Sequence, residues 1–267
     1  MTGAPDDLRE SATPSVRTVK SAERALRILE VLGAAREPMT VTALYQATGY
    51  PRSSLHQLLH TMADMRWIEF TSDASSVAVG SLALLVGTSY LDRDPALQHA
   101  TRTLELIRDQ AGYTAHYARI EGSNVIYLAT RETSESHRAA SRVGRQLPAH
   151  ATALGKALLA ELSPAEVEAA LSSDLVSLTS NTVTTMSALG AQLETTRHRG
   201  FSLEREENTI GVACVAVAIP YRIPATDAIS CSIPLSHASD EELDRVAAVI
   251  RVHAESLAMR LRGEGIR

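Results

Sequence analysis

The sequence predicts an α+β protein of two domains, a small helical one at the N-terminus and a larger one mixing helices and strands. Three observations carry that expectation. The chain has 267 residues, more than one typical domain needs. Residues 40–62, TVTALYQATGYPRSSLHQLLHTM, read as two short helices around a tight break. From Asp94 onward the pattern changes to alternating helices and strands. The expected division is a disordered tail over 1–15, an N-terminal domain over 16–80, a linking helix over 81–93 and a C-terminal domain over 94–267.

The hydrophobic fraction, 45%, is ordinary for a globular protein, and no long uncharged apolar run marks a membrane span. The opening stretch MTGAPDDLRESATPSV is polar and acidic with no apolar core, so it suggests a disordered tail rather than a signal peptide. Two cysteines, Cys214 and Cys231, without metal-ligand spacing fit a reduced, cytoplasmic protein. The net charge of −5 does not advertise a nucleic-acid binder, but local charge matters more. Between Val16 and Arg66, the basic residues Arg17, Lys20, Arg24, Arg27, Arg36, Arg52 and Arg66 outnumber Glu23, Glu30, Glu37 and Asp64. That excess is modest; it permits phosphate contacts without demanding them.

The elements follow in order. Residues 21–32 form a helix with Ser21 as its cap, Ala25, Ile28, Leu29 and Leu32 on one face, and Gly33 and Pro38 at its end. Thr40 caps the next helix, because its hydroxyl can accept from an otherwise unpaired amide of the first turn. Gly49 sits just past that helix, where a left-handed residue is commonly needed. Pro51 can enter the first turn of the following helix, having no hydrogen bond to lose there. In that helix Leu55, Leu58, Leu59 and Met62 keep the i, i+3, i+4, i+7 spacing of a buried face. Ser53, His56, Gln57 and His60 fall on the opposite side, with Arg52 at the start. Residues 67–70 and 77–79 can pair around a turn at 73–76. Three helices and a hairpin make a winged helix-turn-helix, whose second paired helix enters the major groove. The bland alternative is a plain pair of bundle helices. Thr40, Arg52, Ser53, Ser54, His56, Gln57 and His60 are the expected DNA-facing residues, while a hairpin tip without Arg or Lys promises little phosphate contact. Residues 81–91 form an apolar helix between the domains, and a second subunit would cover its face.

In the C-terminal domain, helices are expected over 96–111, 164–171, 187–199 and 239–261, with a small-residue segment and a helix over 150–161 that holds Lys156 in its interior. Strands are expected over 114–120, 125–130, 201–206, 212–220 and 228–235, the first two joined by the turn Glu121-Gly122-Ser123-Asn124. Alternation sorts the last strands into faces. Cys214, Ala216 and Ala218 oppose Ala213, Val215, Val217 and Ile219; Ala228, Ser230 and Ser232 oppose Ile229, Cys231 and Ile233. Two small or polar faces side by side leave room for a ligand and hydroxyls to orient it. Equally, small residues can simply admit a helix packed on the sheet.

Enzymatic alternatives are weaker. Cys214 with His150 could make a thiol nucleophile, and Glu204 with a histidine an acid–base pair. A cysteine in a Val/Ala strand is far more often a buried small hydrophobe, and no nucleophile elbow, phosphate loop or metal motif occurs. A metal site could be sought among His116, His137 and His150, which lack ligand spacing; His56 and His60 have i, i+4 spacing, but on a side where base or phosphate contact outranks zinc. No catalytic residue, cofactor or metal is expected.

Three segments together resemble the IclR family of bacterial transcriptional regulators: Val19-Lys20-Ser21-Ala22-Glu23-Arg24-Ala25-Leu26-Arg27-Ile28-Leu29 running into the helix pair; residues 147–160, LPAHATALGKALLA; and Arg199-Gly200-Phe201-Ser202 through Glu206-Glu207-Asn208, Gly211-Val212-Ala213-Cys214 and Ala216. The resemblance implies a winged helix followed by a GAF-like domain that binds a small effector, and dimers that often pair into tetramers on DNA. It carries effector contacts over to Ala153 and Leu154, in the loop before the Lys156 helix, and to Glu204, Cys214, Ser230 and Ser232. Ala153 stands where a glycine often occurs, Glu204 where an aspartate is common, and the hairpin near Asp73 lacks the usual basic, Gly-containing wing. The function so implied is an effector-responsive regulator, a repressor of a catabolic or metabolic operon. It would bind double-stranded operator DNA as a homodimer or homotetramer and take an organic or aromatic acid as effector. The alternative is a sensor or enzyme whose N-terminal helices serve dimerisation.

Overall fold

The computed structural model describes residues 18–35, 37–133, 143–171 and 174–266. The expected tail over 1–15, Arg17, Arg36 and His137 lie outside these residues. The chain divides into two compact units, Met1–Tyr90 and Leu91–Arg267.

In the first unit, α1 (Lys20–Ala34) buries Ile28 and Leu32. Its cap position is Val19, without a side-chain cap, so Ser21 lies within the helix, and Gly33 lies in its last turn rather than ending it. β1 (Met39–Thr40) leads into α2 (Val41–Thr48), where the Thr40 hydroxyl accepts from the Ala43 amide at 3.1 Å. Gly49 ends α2 at φ +66°, a left-handed conformation that costs glycine nothing. Pro51 is the cap of α3 (Arg52–Asp64) and not part of its first turn. Leu55, Leu59 and Met62 of α3 pack with Ile28, Leu32, Leu44, Ile68 and Val77 in one core. β2 (Ile68–Phe70) and β3 (Ser76–Val79) form the wing, and β1 joins them in the order β1-β3-β2. β1 has no sequence pattern of its own; its pairing of Met39 with Val77 and Thr40 with Ser76 defines it. At the wing tip the Asp73 carboxylate accepts from the hydroxyls of Thr71 and Ser75 at 2.6 and 2.8 Å, and these bonds lower its pKa to about 2. α4 (Ser81–Asp92) has no buried residue, and Leu84 and Leu85 are 71% and 67% exposed.

The second unit opens with α5 (Pro95–Ala111), capped by Asp94. β4 (Thr114–Glu121), β5 (Asn124–Arg131) and the short β6 (Gln146–Pro148) form one meander. A single 3-10 turn, Ala149–Ala151, then leads into α6 (Ala153–Leu159), followed by α7 (Pro164–Ala170) and α8 (Met186–Arg199). β7 (Ser202–Arg205), β8 (Val212–Ala218) and β9 (Asp227–Pro234) form a second meander, and α9 (Asp240–Gly263) closes the chain, capped by Ser239. Antiparallel pairing of β4 with β9 joins the meanders into a six-stranded sheet, β6-β5-β4-β9-β8-β7. Beside β4 and β9 the Arg119 guanidinium bridges Asp227 at 2.6 Å and Asp94 at 2.7 Å, while Tyr117 and Tyr221 donate to Asp227.

Each face of the sheet has its own core. Ala213, Val215, Val217, Ile229, Cys231 and Ile233 pack with residues of α5 and α9. Ala216 and Ala228, on the opposite face, pack with Leu154, Ala157 and Leu158 of α6 and with Leu189 and Leu193 of α8. Ala153 and Leu154 thus belong to the first turn of α6, not to a preceding loop: Thr152 caps the helix by accepting from the Gly155 amide at 2.9 Å. Gly155 is where backbone meets backbone. A Cβ there would stand 2.2 Å from the Ala149 carbonyl oxygen. Gly155→Ala must therefore push α6 off the 3-10 turn, and overpacking of this kind costs about 1–3 kcal/mol. The expected result is a lower urea midpoint for the transition of this unit, followed by circular dichroism.

Candidate functional site

The cavity of the second unit lies between the small-residue face of the sheet and the start of α6. Its volume open to the centre of a water-sized sphere is about 50 Å³. All six residues that the sequence nominates for an effector line it: Ala153 and Leu154 from α6, Glu204 from β7, Cys214 from β8, and Ser230 and Ser232 from β9. Register explains the convergence. Cys214 pairs with both Glu204 and Ser232 on its flanking strands, and Ser230 pairs with His116 across the meander joint.

Glu204 is the group of unusual chemistry here. It is 1% exposed, and one carboxylate oxygen accepts from the Glu207 amide at 3.1 Å. Burial raises its pKa from 4.5 to about 7, against the opposing pull of the Glu207 and Asn208 amides and of Lys156. His116 bonds Thr130 through Nδ1 and Ser232 through Nε2, both at 3.1 Å. Burial lowers its pKa to about 4, so the ring is neutral. The Cys214 sulfur lies 3.4 Å from the Ser232 hydroxyl, and burial pushes the thiol well above its ordinary value, which is the opposite of an activated nucleophile. His150 bonds the Val176 carbonyl at 3.0 Å. Among the described residues no three His, Cys, Asp or Glu side chains gather as a metal site, and no helix is long and apolar enough to cross a membrane.

On α3, Arg52, Ser53, His56, Gln57 and His60 are all exposed, as is Thr40 before α2. The Arg52 guanidinium stacks on the Tyr45 ring at 5.1 Å, and His56 and His60 approach through their Nε2 atoms at 3.3 Å. Ser54 differs: it is half-buried and accepts from Arg24 of α1 at 3.0 Å.

An exposed polar helix on a winged helix-turn-helix, and a small cavity in a separate mixed domain, have a known counterpart. Residues 88–259 match the family described as bacterial transcriptional regulator IclR C-terminal, and residues 21–72 match the IclR helix-turn-helix domain. The chain belongs to the IclR family. Its relatives there are transcriptional regulators rather than enzymes. It is similar to the transcriptional repressor IclR of Escherichia coli K12, 29% identical over 93% of this chain and 92% of that one. The regulator XynR of the same organism is 32% identical over 84% and 90%. An IclR homolog from Microbacterium hydrocarbonoxydans, solved as a complex with 4-hydroxybenzoate, shares the fold at a TM-score of 0.75 and 24% identity, over 91% of this chain and 99% of that one.

Besides the six nominated residues, this IclR-family cavity is lined by His116, Tyr127, Arg145, Thr152 and Asn208, among others. Alternation could have flagged His116, which shares a strand face with Thr114 and Ala118. Nothing in the local sequence places Arg145 there, because β6 and its approach carry no strand pattern. The raised Glu204 pKa has a thermodynamic consequence. Between about pH 4.5 and 7 the folded state keeps a proton that the unfolded state has lost, so stability falls as pH rises through that window and levels off above it. Glu204→Gln removes the effect. It is expected to leave the melting temperature unchanged at pH 4 and to raise stability at pH 8 by an amount on the order of 3 kcal/mol, read by thermal denaturation at both pH values.

Proposed function

We propose that this chain is a cytoplasmic repressor of a catabolic or metabolic operon, whose affinity for a pseudo-palindromic operator is set by a small organic acid in the cavity. The observation that carries the proposal is the convergence of a buried carboxyl, a thiol and two hydroxyls from three strands on one cavity. A carboxylate ligand fits best with its charge toward Ser230, Ser232 and Arg145, leaving a hydroxyl to donate to the Glu204 carboxylate or a keto oxygen to accept from its protonated form. Both a short hydroxy- or keto-acid and an aromatic acid, such as the 4-hydroxybenzoate bound by the Microbacterium relative, have the polar groups this wall would take.

Arg52, Ser53, His56, Gln57 and His60 would read or position DNA in the major groove. The Thr40 hydroxyl, an acceptor within the protein, keeps its own proton for a phosphate oxygen. Ser54, held by Arg24, would act by fixing α3 on α1. The acidic wing tip at Asp73 does not suit phosphate contact. The exposed apolar surface of α4 supports a homodimer or a dimer of dimers, since a second copy would remove it from water.

Two outcomes test this function. In mobility-shift assays with the upstream region of its own gene, Gln57→Ala is expected to change operator preference by about 1–3 kcal/mol if Gln57 holds an adenine edge. Unchanged affinity and preference in both Gln57→Ala and Ser53→Ala would place the reading surface elsewhere. Linkage requires that operator DNA change effector affinity by the factor by which effector changes DNA affinity. Calorimetric titration of short hydroxy- and keto-acids with and without operator should show that reciprocity, and Ser230→Ala should weaken the response. Equal affinities in both titrations would rule out allosteric control.

A further inference from the structure

Lys156 stands inside α6 with no exposed surface, on a helix whose Ala153, Leu154, Ala157 and Leu158 belong to a hydrophobic core cluster. Its ammonium meets Glu207 at 2.5 Å. Glu207 is held from other directions too: its second carboxylate oxygen accepts from the Val183 amide at 3.4 Å, and its carbonyl accepts from the Thr182 hydroxyl at 2.6 Å. Its own amide donates to the Glu204 carboxylate at 3.1 Å. Between the two glutamates the backbone bends through Glu206 at φ +58°, a conformation a side-chain-bearing residue adopts only when its surroundings impose it.

Stability alone does not account for this arrangement. Replacing a buried ion pair by apolar groups of similar volume is often neutral or stabilising, and at the middle of α6 a methionine would fill the same space. The pair therefore fits a geometric role. We infer that the Lys156–Glu207 ion pair is a positioning element: it anchors the 204–207 turn to α6 and so aims the Glu207 amide at the Glu204 carboxylate in the cavity wall. The significance of that carboxylate for a ligand rests on the function proposed above, but the positioning itself does not. With lysine and glutamate cancelling each other, Glu204 is the carboxyl of the cavity wall left to respond to a ligand's charge. The other titratable groups of the wall or in contact with it are His116 on β4, Tyr127 on β5, Arg145 before β6 and Cys214 on β8.

The test reads the Glu204 proton directly, in full-length protein carrying carbon-13 glutamate, its carboxyl signal assigned by its loss in Glu204→Gln. The double variant Lys156→Met/Glu207→Gln removes two opposite charges together, so their direct effects on Glu204 oppose each other with that of Lys156 the larger, and loss of the aimed amide is read separately as loss of the dependence of the residue-207 amide proton shift on the Glu204 titration. A rise of about one pH unit in the Glu204 midpoint, a tenfold change in its proton affinity, is expected in a variant that still melts cooperatively. An unchanged midpoint would overturn the inference. A second measurement needs no substitution: in the unmodified protein the Glu207 amide proton shift should follow pH with the Glu204 midpoint. An amide that ignores that titration would also overturn it. If both expectations hold while Glu204→Gln leaves the ligand response intact, the positioning role stands and the proposed effector site is wrong.

Discussion

The antiparallel pairing of β4 with β9 is the constraint on which the second unit depends. Each meander is local in sequence, but the two are joined by strands more than a hundred residues apart, from Thr114 facing Ser232 to Arg119 facing Asp227. Closing so long a loop is entropically unfavourable before any contact rewards it. The joint is correspondingly reinforced. At one end Arg119 ties β9 to the cap of α5 through Asp227 and Asp94. Toward the other, His116 reaches across to the Ser232 hydroxyl. The cavity thus lies along the seam of the sheet, with His116 of one meander and Ser230 and Ser232 of the other in its wall.

Much of the fold was legible because the elements that matter carry strong local patterns. Leu55, Leu59 and Met62 predicted the buried side of α3 and left its polar side exposed. The alternation in β8 and β9 separated two faces correctly, and the small face both packs a helix and lines a cavity at different points along it. Ala216 and Ala228 admit α6, while Cys214, Ser230 and Ser232 are left to the cavity. What escaped was whatever the chain obtains only from partners. β1 and β6 are too short for a period, and Arg145 enters the cavity only because β6 pairs with β5. Ser21 looks like a cap, yet α1 starts one residue earlier. Ala153 and Leu154 fall inside α6 because Thr152, not a later residue, caps it.

The buried charges follow a single logic. Lys156 and Glu207, like Arg119, Asp227 and Asp94, are paired and hydrogen-bonded, as ions removed from water must be. Glu204 accepts from an amide rather than bonding a cation directly, and burial outweighs the opposing pull of the amides and of Lys156 on its proton affinity. The neutral His116 and the inert thiol of Cys214 complete a wall that can hydrogen-bond but does not carry the features of a nucleophilic centre.

The two-faced sheet also bears on substitution. On β8 and β9 the residues that touch the cavity alternate with those that build the α5–α9 core, so a substitution at Cys214, Ser230 or Ser232 leaves Val215, Cys231 and Ile233 undisturbed. Side chains toward the cavity can therefore change one at a time while the main core stays intact. The wall of the cavity can thus vary by point changes that leave the α5–α9 core and the helix-turn-helix unit as they are.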